Sequence, residues 1–149
     1  MNEFYFAQKA FIVKNNKILL IRKSADDPHH PNKWEVPGGR MEFGEDVDEH
    51  IKREVFEEVG IRIKPLEPFF LWQWQLQKKT KNGEAICMQI VAAARICEAD
   101  TTEFCARGQA ADDYIDKIEW AAIGDIKNYE FIPNMAPVIE KFLNTYAKD

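Results

Sequence analysis

Glu54, Glu57 and Glu58 fall within "REVFEEVGI", residues 53–61, and put three carboxylates into about a turn and a half of one helix. At about 100° per residue they share a sector of roughly 100°, where each repels the others. A solvated acidic face is the plain alternative, and such a face normally interleaves basic residues at i+4, as Glu49 and Arg53 do. Glu54 and Glu57 have Glu58 and Ile61 at those positions, and the Arg62 that follows Glu58 lies past Gly60. A divalent cation would resolve the repulsion. Hard oxygen donors in an open cluster suit Mg²⁺, which keeps several waters and shares its coordination with substrate phosphates. The preceding "VPGGR" offers glycine backbone that can approach a metal or phosphate closely, with a carbonyl to complete the coordination.

Other residues carry less. His29 and His30 are adjacent, so their side chains point apart and fit a surface loop better than a metal site. His50 lies on the glutamate sector, where a hydrogen bond to a carboxylate stands beside a purely structural role. Trp72 and Trp74 share a strand face with Phe70 and Leu76, which reads as core packing, with base stacking as the sharper alternative.

The elements that must position the glutamates follow from periodicity. Ile51, Val55 and Val59 recur as the buried stripe of a helix over about 46 to 59, with Gly60 as its C-cap. "FYFAQKAFIVKNNKILLIRKS" predicts a hairpin turning at Asn15-Asn16 and ending near Arg22. "ADDPHHPNKWEVPGGR" reads as an irregular loop with a short extended piece at Trp34 to Val36. A second antiparallel pair is expected at about 69 to 77 and 85 to 97 around Asn82-Gly83, then an acidic loop, a short strand at "IEWAAIG" and a closing helix with Asn134 as N-cap and Pro137 in its first turn.

With 149 residues the chain fits one domain, residues 1–149. A formal charge of −5 gives no basic face for nucleic acid, so any anionic ligand needs local help. Cys87, Cys97 and Cys105 are odd in number and lack a CxxC pair, which argues against a disulfide framework or a zinc site and fits a reducing cytoplasm. No signal peptide or apolar run of membrane-spanning length is visible, so neither export nor a membrane partner is expected.

The segment Gly39 to Ile61 resembles the Nudix box, G-x5-E-x7-R-E-U-x-E-E-x-G-U with U aliphatic. It matches at every fixed position: Gly39, Glu45, Arg53, Glu54, Val55, Glu57, Glu58, Gly60 and Ile61. "ADDPHHPNKWEVPGG", "IEWAAIGDI" and "FIPNMAPVIEKFL" resemble further segments of MutT-type members, so the likeness covers nearly the whole chain. The resemblance implies an α/β fold, the Nudix α/β/α sandwich with a mixed β-sheet, and Mg²⁺-dependent hydrolysis of a nucleoside diphosphate linked to a group X, with Mn²⁺ as a substitute metal.

It also implies roles. Glu54, Glu57 and Glu58 with the carbonyl of Gly38 would hold the metal, Glu54 would act as general base, and Arg53 would orient a box carboxylate. Glu45 would anchor the loop or a further metal. Gly39 and Asn134 would meet the substrate, as would Arg22, for which a surface ion pair is the alternative. A further acidic ligand falls among Glu103, Asp112, Asp113 and Glu119, between which the sequence does not choose.

The proline that marks ADP-ribose hydrolases and the tyrosine of the diadenosine-polyphosphate type are missing downstream, where "LQ" occupies residues 76 and 77, and no SQPWPxS-like segment suggests an NADH pyrophosphatase. A nucleoside triphosphate pyrophosphatase of the MutT type is the expectation, acting on canonical or oxidised nucleotides. Nucleotide-sugar or dinucleoside polyphosphate hydrolysis, and a non-catalytic nucleotide sensor, are the alternatives. Laid on the MutT pattern, the base-reading asparagine position falls on Met135, with Asn134 one residue early. A homodimer is allowed by the resemblance, though no exposed apolar stretch points to an interface.

Overall fold

A computed structural model describes residues 1–146, the side chain of Asp112 excepted. The first hairpin joins β1 (Asn2–Lys14) to β2 (Lys17–Lys23), and Asn15 and Asn16 turn it with φ of 53° and 63°, as a tight turn between twisted strands requires. β3 (Trp34–Glu35) pairs with β2, and β4 (Gly38–Arg40) pairs with β1 at Ala7 to Lys9. The glycine segment expected to be free of regular structure is therefore stitched to a central strand.

α1 (Val47–Val59) starts where Asp46 accepts hydrogen bonds from the backbone amides of Asp48 and Glu49, and ends at Gly60 in the left-handed conformation with φ 70°. β5 (Ile63–Lys79) and β6 (Ala85–Ala99) form a longer antiparallel pair than expected. Pro65 and Pro68 do not stop β5, because the register shifts at both and the strand lies on the sheet edge, where a missing donor is tolerated. β7 (Ile115–Ala122) pairs with β2, and α2 (Ala136–Tyr146) closes the described chain. Asn134 is not its N-cap: it sits inside a single 3-10 turn, Pro133–Met135, that leads into the helix.

The sheet runs β3-β2-β1-β6-β5, with β1 and β6 parallel and the other pairs antiparallel. Alternation sorts its side chains into two cores. Ala10, Ile12, Leu19 and Ile21 pack beneath Ile51, Val55 and Val59 of α1; Phe11, Ile18 and Leu20 pack with Met135, Val138 and Phe142 at α2. The strands read as continuous apolar runs because both faces are covered. This is the expected α/β/α architecture around a mixed sheet. Each fully buried aliphatic side chain of the α1 stripe contributes about 1.5–3 kcal/mol, which fixes the helix rotation that sets the glutamates. Among the described residues, no helix is long and apolar enough to cross a membrane.

Candidate active site

The α1 stripe turns Glu54 and Glu58 inward over β4. Glu58 is buried, and one oxygen accepts the Gly38 amide hydrogen at 2.8 Å. Burial pushes its carboxyl well above the ordinary range, with Lys9 pulling it back and Glu35 and Glu54 pushing further. Glu54 lies against the α-carbon of Gly39, and burial raises its carboxyl too, opposed by Arg53 and reinforced by Glu57. Glu57 stands at the rim, half exposed, and is turned to Arg53 at 3.2 Å.

Arg53 fans across the other carboxylates. Its Nε and one terminal nitrogen donate to the two oxygens of Glu45 at 2.7 and 2.9 Å, and it lies 3.3 Å from Glu54 and 3.2 Å from Glu57. The pairing holds the Glu45 carboxyl down at about 2 and raises Arg53. Glu45 also accepts the Glu42 amide at 2.8 Å, so it fastens the loop ahead of α1.

Beneath the glutamates lies an ion cluster that the sequence reading missed. Lys9 reaches Glu35 at 2.6 Å, and Lys23 reaches its other oxygen at 3.4 Å. Burial pushes Glu35 up, but the two lysines more than offset it and hold it below the ordinary range. The available signal was a lysine or glutamate interrupting an apolar strand, at Lys9 in "FAQKAFIV" and Glu35 in "KWEV".

The structure parts the expected substrate residues. Gly39 lies at the glutamates and lines a groove of about 330 Å³ with Lys9, His29, Trp74, Leu76 and Ile90. Arg22 does not join them: it holds Asp116 at 3.0 Å and faces Trp34, while Lys23, beyond a register shift, turns to Glu35. Asn134 offers its backbone carbonyl to the Trp72 indole at 2.9 Å, Met135 is fully buried, and neither is among the residues that line the groove. Trp72 belongs to the core and Trp74 to the groove.

Of the further acidic candidates, Asp113 is the one whose charge adds to that at Glu54. Glu119 lines a separate cavity with Arg22 and accepts the Tyr129 hydroxyl, Glu103 is exposed, and the side chain of Asp112 lies outside the described residues. The loop carrying Asp113 folds back on α1: Cys105 donates its amide to the Val59 carbonyl at 2.8 Å and Gln109 its side-chain amide to the Glu58 carbonyl at 2.8 Å. His50 is fully buried beside Glu54, and burial lowers its pKa.

Among the described residues, no three carboxylate, imidazole or thiol groups form a ready-made cation cage. The oxygen donors nonetheless suit a hard cation, because Glu54 and Glu58 are both disfavoured as anions where they lie and Glu57 is close enough to add to the repulsion on Glu54.

A NUDIX domain model matches residues 7–142. The 8-oxo-dGTP diphosphatase of Escherichia coli strain K12 is 48% identical over 77 residues, 44% of this chain and 59% of that protein. The m7GpppN-mRNA hydrolase NUDT17 of Xenopus laevis is 39% identical over 61 residues, 41% of this chain and 21% of that protein. Both matches span less than two thirds of the relative. The crystal structure of a MutT NUDIX hydrolase from Burkholderia pseudomallei superposes with a TM-score of 0.67 at 23% identity, over 93% of this chain and 98% of that one, a likeness of fold.

Proposed function

The chain belongs to the NUDIX domain family, and on that premise we propose that it is a Mg²⁺-dependent hydrolase of nucleoside diphosphate-X compounds, specifically a MutT-type nucleoside triphosphate pyrophosphatase. The observation that carries the reading is the meeting of Glu54 and Glu58 at the backbone of Gly38 and Gly39, with Glu57 at the rim. The similarity to an 8-oxo-dGTP diphosphatase supports the triphosphate substrate.

Glu54, Glu57 and Glu58, with the carbonyl of Gly38, would hold Mg²⁺, and Mn²⁺ could replace it. When bound, the ion neutralises phosphate charge and makes a bound water more acidic. Glu54 is the general base for the attacking water. A new P–O bond forms to the water oxygen as a bridging P–O bond breaks; the proton passes to Glu54, and pyrophosphate or the nucleoside monophosphate leaves with the bridging oxygen, according to which phosphorus is attacked. Arg53 holds Glu45, Glu54 and Glu57 in register and so serves the carboxylates more than the substrate. On this reading the nucleotide base would lie in the groove that Trp74, Leu76 and Ile90 line together with Lys9 and Arg40.

A panel of canonical and oxidised nucleoside triphosphates, nucleotide sugars and dinucleoside polyphosphates, assayed with Mg²⁺ on the wild type, Glu57→Gln and Glu58→Gln, tests this. Release of monophosphate and pyrophosphate from triphosphates, collapsing in both variants, is expected. Turnover confined to sugars or dinucleotides overturns the substrate, and binding without turnover overturns the enzyme.

A further inference from the structure

His50 carries an anomaly. The ring is fully buried, and its Nε2 is the one buried side-chain polar atom among the described residues that lacks a hydrogen-bond partner. Buried polar atoms are nearly always paired, so an orphan at an otherwise satisfied site asks for a reason.

Which atom bears the ring proton follows from the groups around it. Arg95, buried, is a donor only; its Nε donates to the Leu66 carbonyl at 2.7 Å, and one terminal nitrogen donates to Asp48 at 2.7 Å and to the Gln8 side chain at 3.3 Å. The Gln8 atom facing Arg95 is therefore its oxygen. The other end of the amide faces the Val47 carbonyl at 2.7 Å, which accepts only, so that end is the NH₂. Two independent contacts thus fix the same amide orientation. The second hydrogen of the NH₂ points to His50 Nδ1 at 2.9 Å, and Nδ1 must accept it. A neutral imidazole that accepts at Nδ1 carries its proton on Nε2.

The acceptors near the ring are the Glu54 carboxylate, with Oε1 4.0 Å from Nε2, and the backbone carbonyls of Gly39 and Arg40; Arg53, the cation nearby, lies 3.3 Å from the same Glu54 oxygen. At 4.0 Å the Glu54 oxygen is too far for a hydrogen bond as it stands, and the terminal torsion of a glutamate is broad enough for the carboxylate to turn. We propose that Gln8 and Arg95 lock His50 in its Nε2–H tautomer, making it a positioning residue that presents one aimed donor to Glu54 and to the Gly39–Arg40 backbone. His50 lies one helical turn before Glu54, and Gln8 and Arg95 lie on paired strands β1 and β6, so the donor is held by the sheet and the helix together.

The importance of the lock rests on Glu54 acting in hydrolysis, but the tautomer is read without substrate or metal, so failure of one idea is separable from failure of the other. Long-range ¹H–¹⁵N correlation on the full ¹⁵N-labelled chain, with His50 signals assigned by their loss in His50→Gln, should give a protonated-type Nε2 and a pyridine-type Nδ1. Gln8→Glu can only accept at that position and should move a proton onto Nδ1. With nucleoside triphosphate and Mg²⁺, Gln8→Glu and His50→Phe should lose about 10- to 100-fold in kcat with the nucleotide KM within about two-fold, the scale of losing a group that orients a ligand side chain. A wild-type ring protonated on Nδ1, or full kcat in a Gln8→Glu chain whose spectrum shows Nε2 stripped of its proton, overturns the proposal. The wild-type spectrum decides the tautomer even if a variant fails to fold.

Discussion

The carboxylate of Glu54 occupies the space that a side chain on Gly39 would need: a β-carbon there would stand 2.6 Å from Glu54 Oε2. The obstacle is the far end of a flexible side chain, so the backbone need not move but the carboxylate must. Gly39→Ala should leave the melting temperature nearly unchanged while cutting turnover by about 10- to 100-fold, as a misplaced reacting group does. Gly38 behaves oppositely. Its β-carbon would lie 2.1 Å from the Gln8 carbonyl oxygen at a φ of +150°, so Gly38→Ala should destabilise the fold by at least about 1–3 kcal/mol. Thermal denaturation beside initial rates separates the two; equal loss of stability would refute the assignment of Gly39 to Glu54.

The Arg53–Glu45 pair gives a pH dependence with a definite sign. The Glu45 carboxyl is depressed from an ordinary 4.5 to about 2, first by the Arg53 hydrogen bonds and then by the Glu42 amide. The unfolded chain therefore takes up the proton first as pH falls, so the stabilisation is full above about 4.5 and lost as pH drops through about 2. In urea titrations, wild type should exceed Glu45→Gln at pH 6, and the gap should close progressively toward pH 2. A gap that stays constant over that range would show that the carboxylate charge is not what Arg53 holds.

Local signals made α1, its Gly60 cap and the Asn15-Asn16 turn legible, because each depends on residues within a few positions. The groups that surround the glutamates depend on distant partners. Lys9 meets Glu35 across 26 positions, Gln8 meets His50 across 42, and Arg95 meets Gln8 across 87, and no periodicity encodes such pairs. Arg22 shows the same limit on a smaller scale. Adjacent strand residues face opposite sides, and the register shift between Arg22 and Lys23 sends one to Asp116 and the other to Glu35, a choice made by the pairing with β7.

Glu35 neutralises two lysines in a buried place, so removing it leaves Lys9 charged and unpaired. Glu35→Ala should cost about 3–5 kcal/mol of stability, the usual loss when one partner of a buried pair is deleted. The double variant Lys9→Met, Glu35→Leu removes the charge with its partner and should recover most of that loss in the same denaturation experiment. If the double variant were as unstable as the single one, packing and not the ion pair would explain the loss.

The two neighbouring tryptophans divide between the core and the groove. Their rings lie 5.6 Å apart, yet Trp72 is 8% exposed with its indole N–H on the Asn134 carbonyl, whereas Trp74 lines the groove that begins at Gly39. Trp72→Phe keeps an aromatic body and loses one buried hydrogen bond, so it should cost about 1 kcal/mol of stability and leave nucleotide KM alone. Trp74→Ala removes a surface against which a base can stack, and should raise the KM for nucleoside triphosphate about ten-fold, or about 1.4 kcal/mol of binding, with little change in kcat. A loss confined to KM is the mark of binding felt equally by substrate and transition state, as expected for a group remote from the phosphorus under attack. If Trp74→Ala instead lowered kcat at constant KM, the base would lie elsewhere, and the groove would have to serve the phosphates.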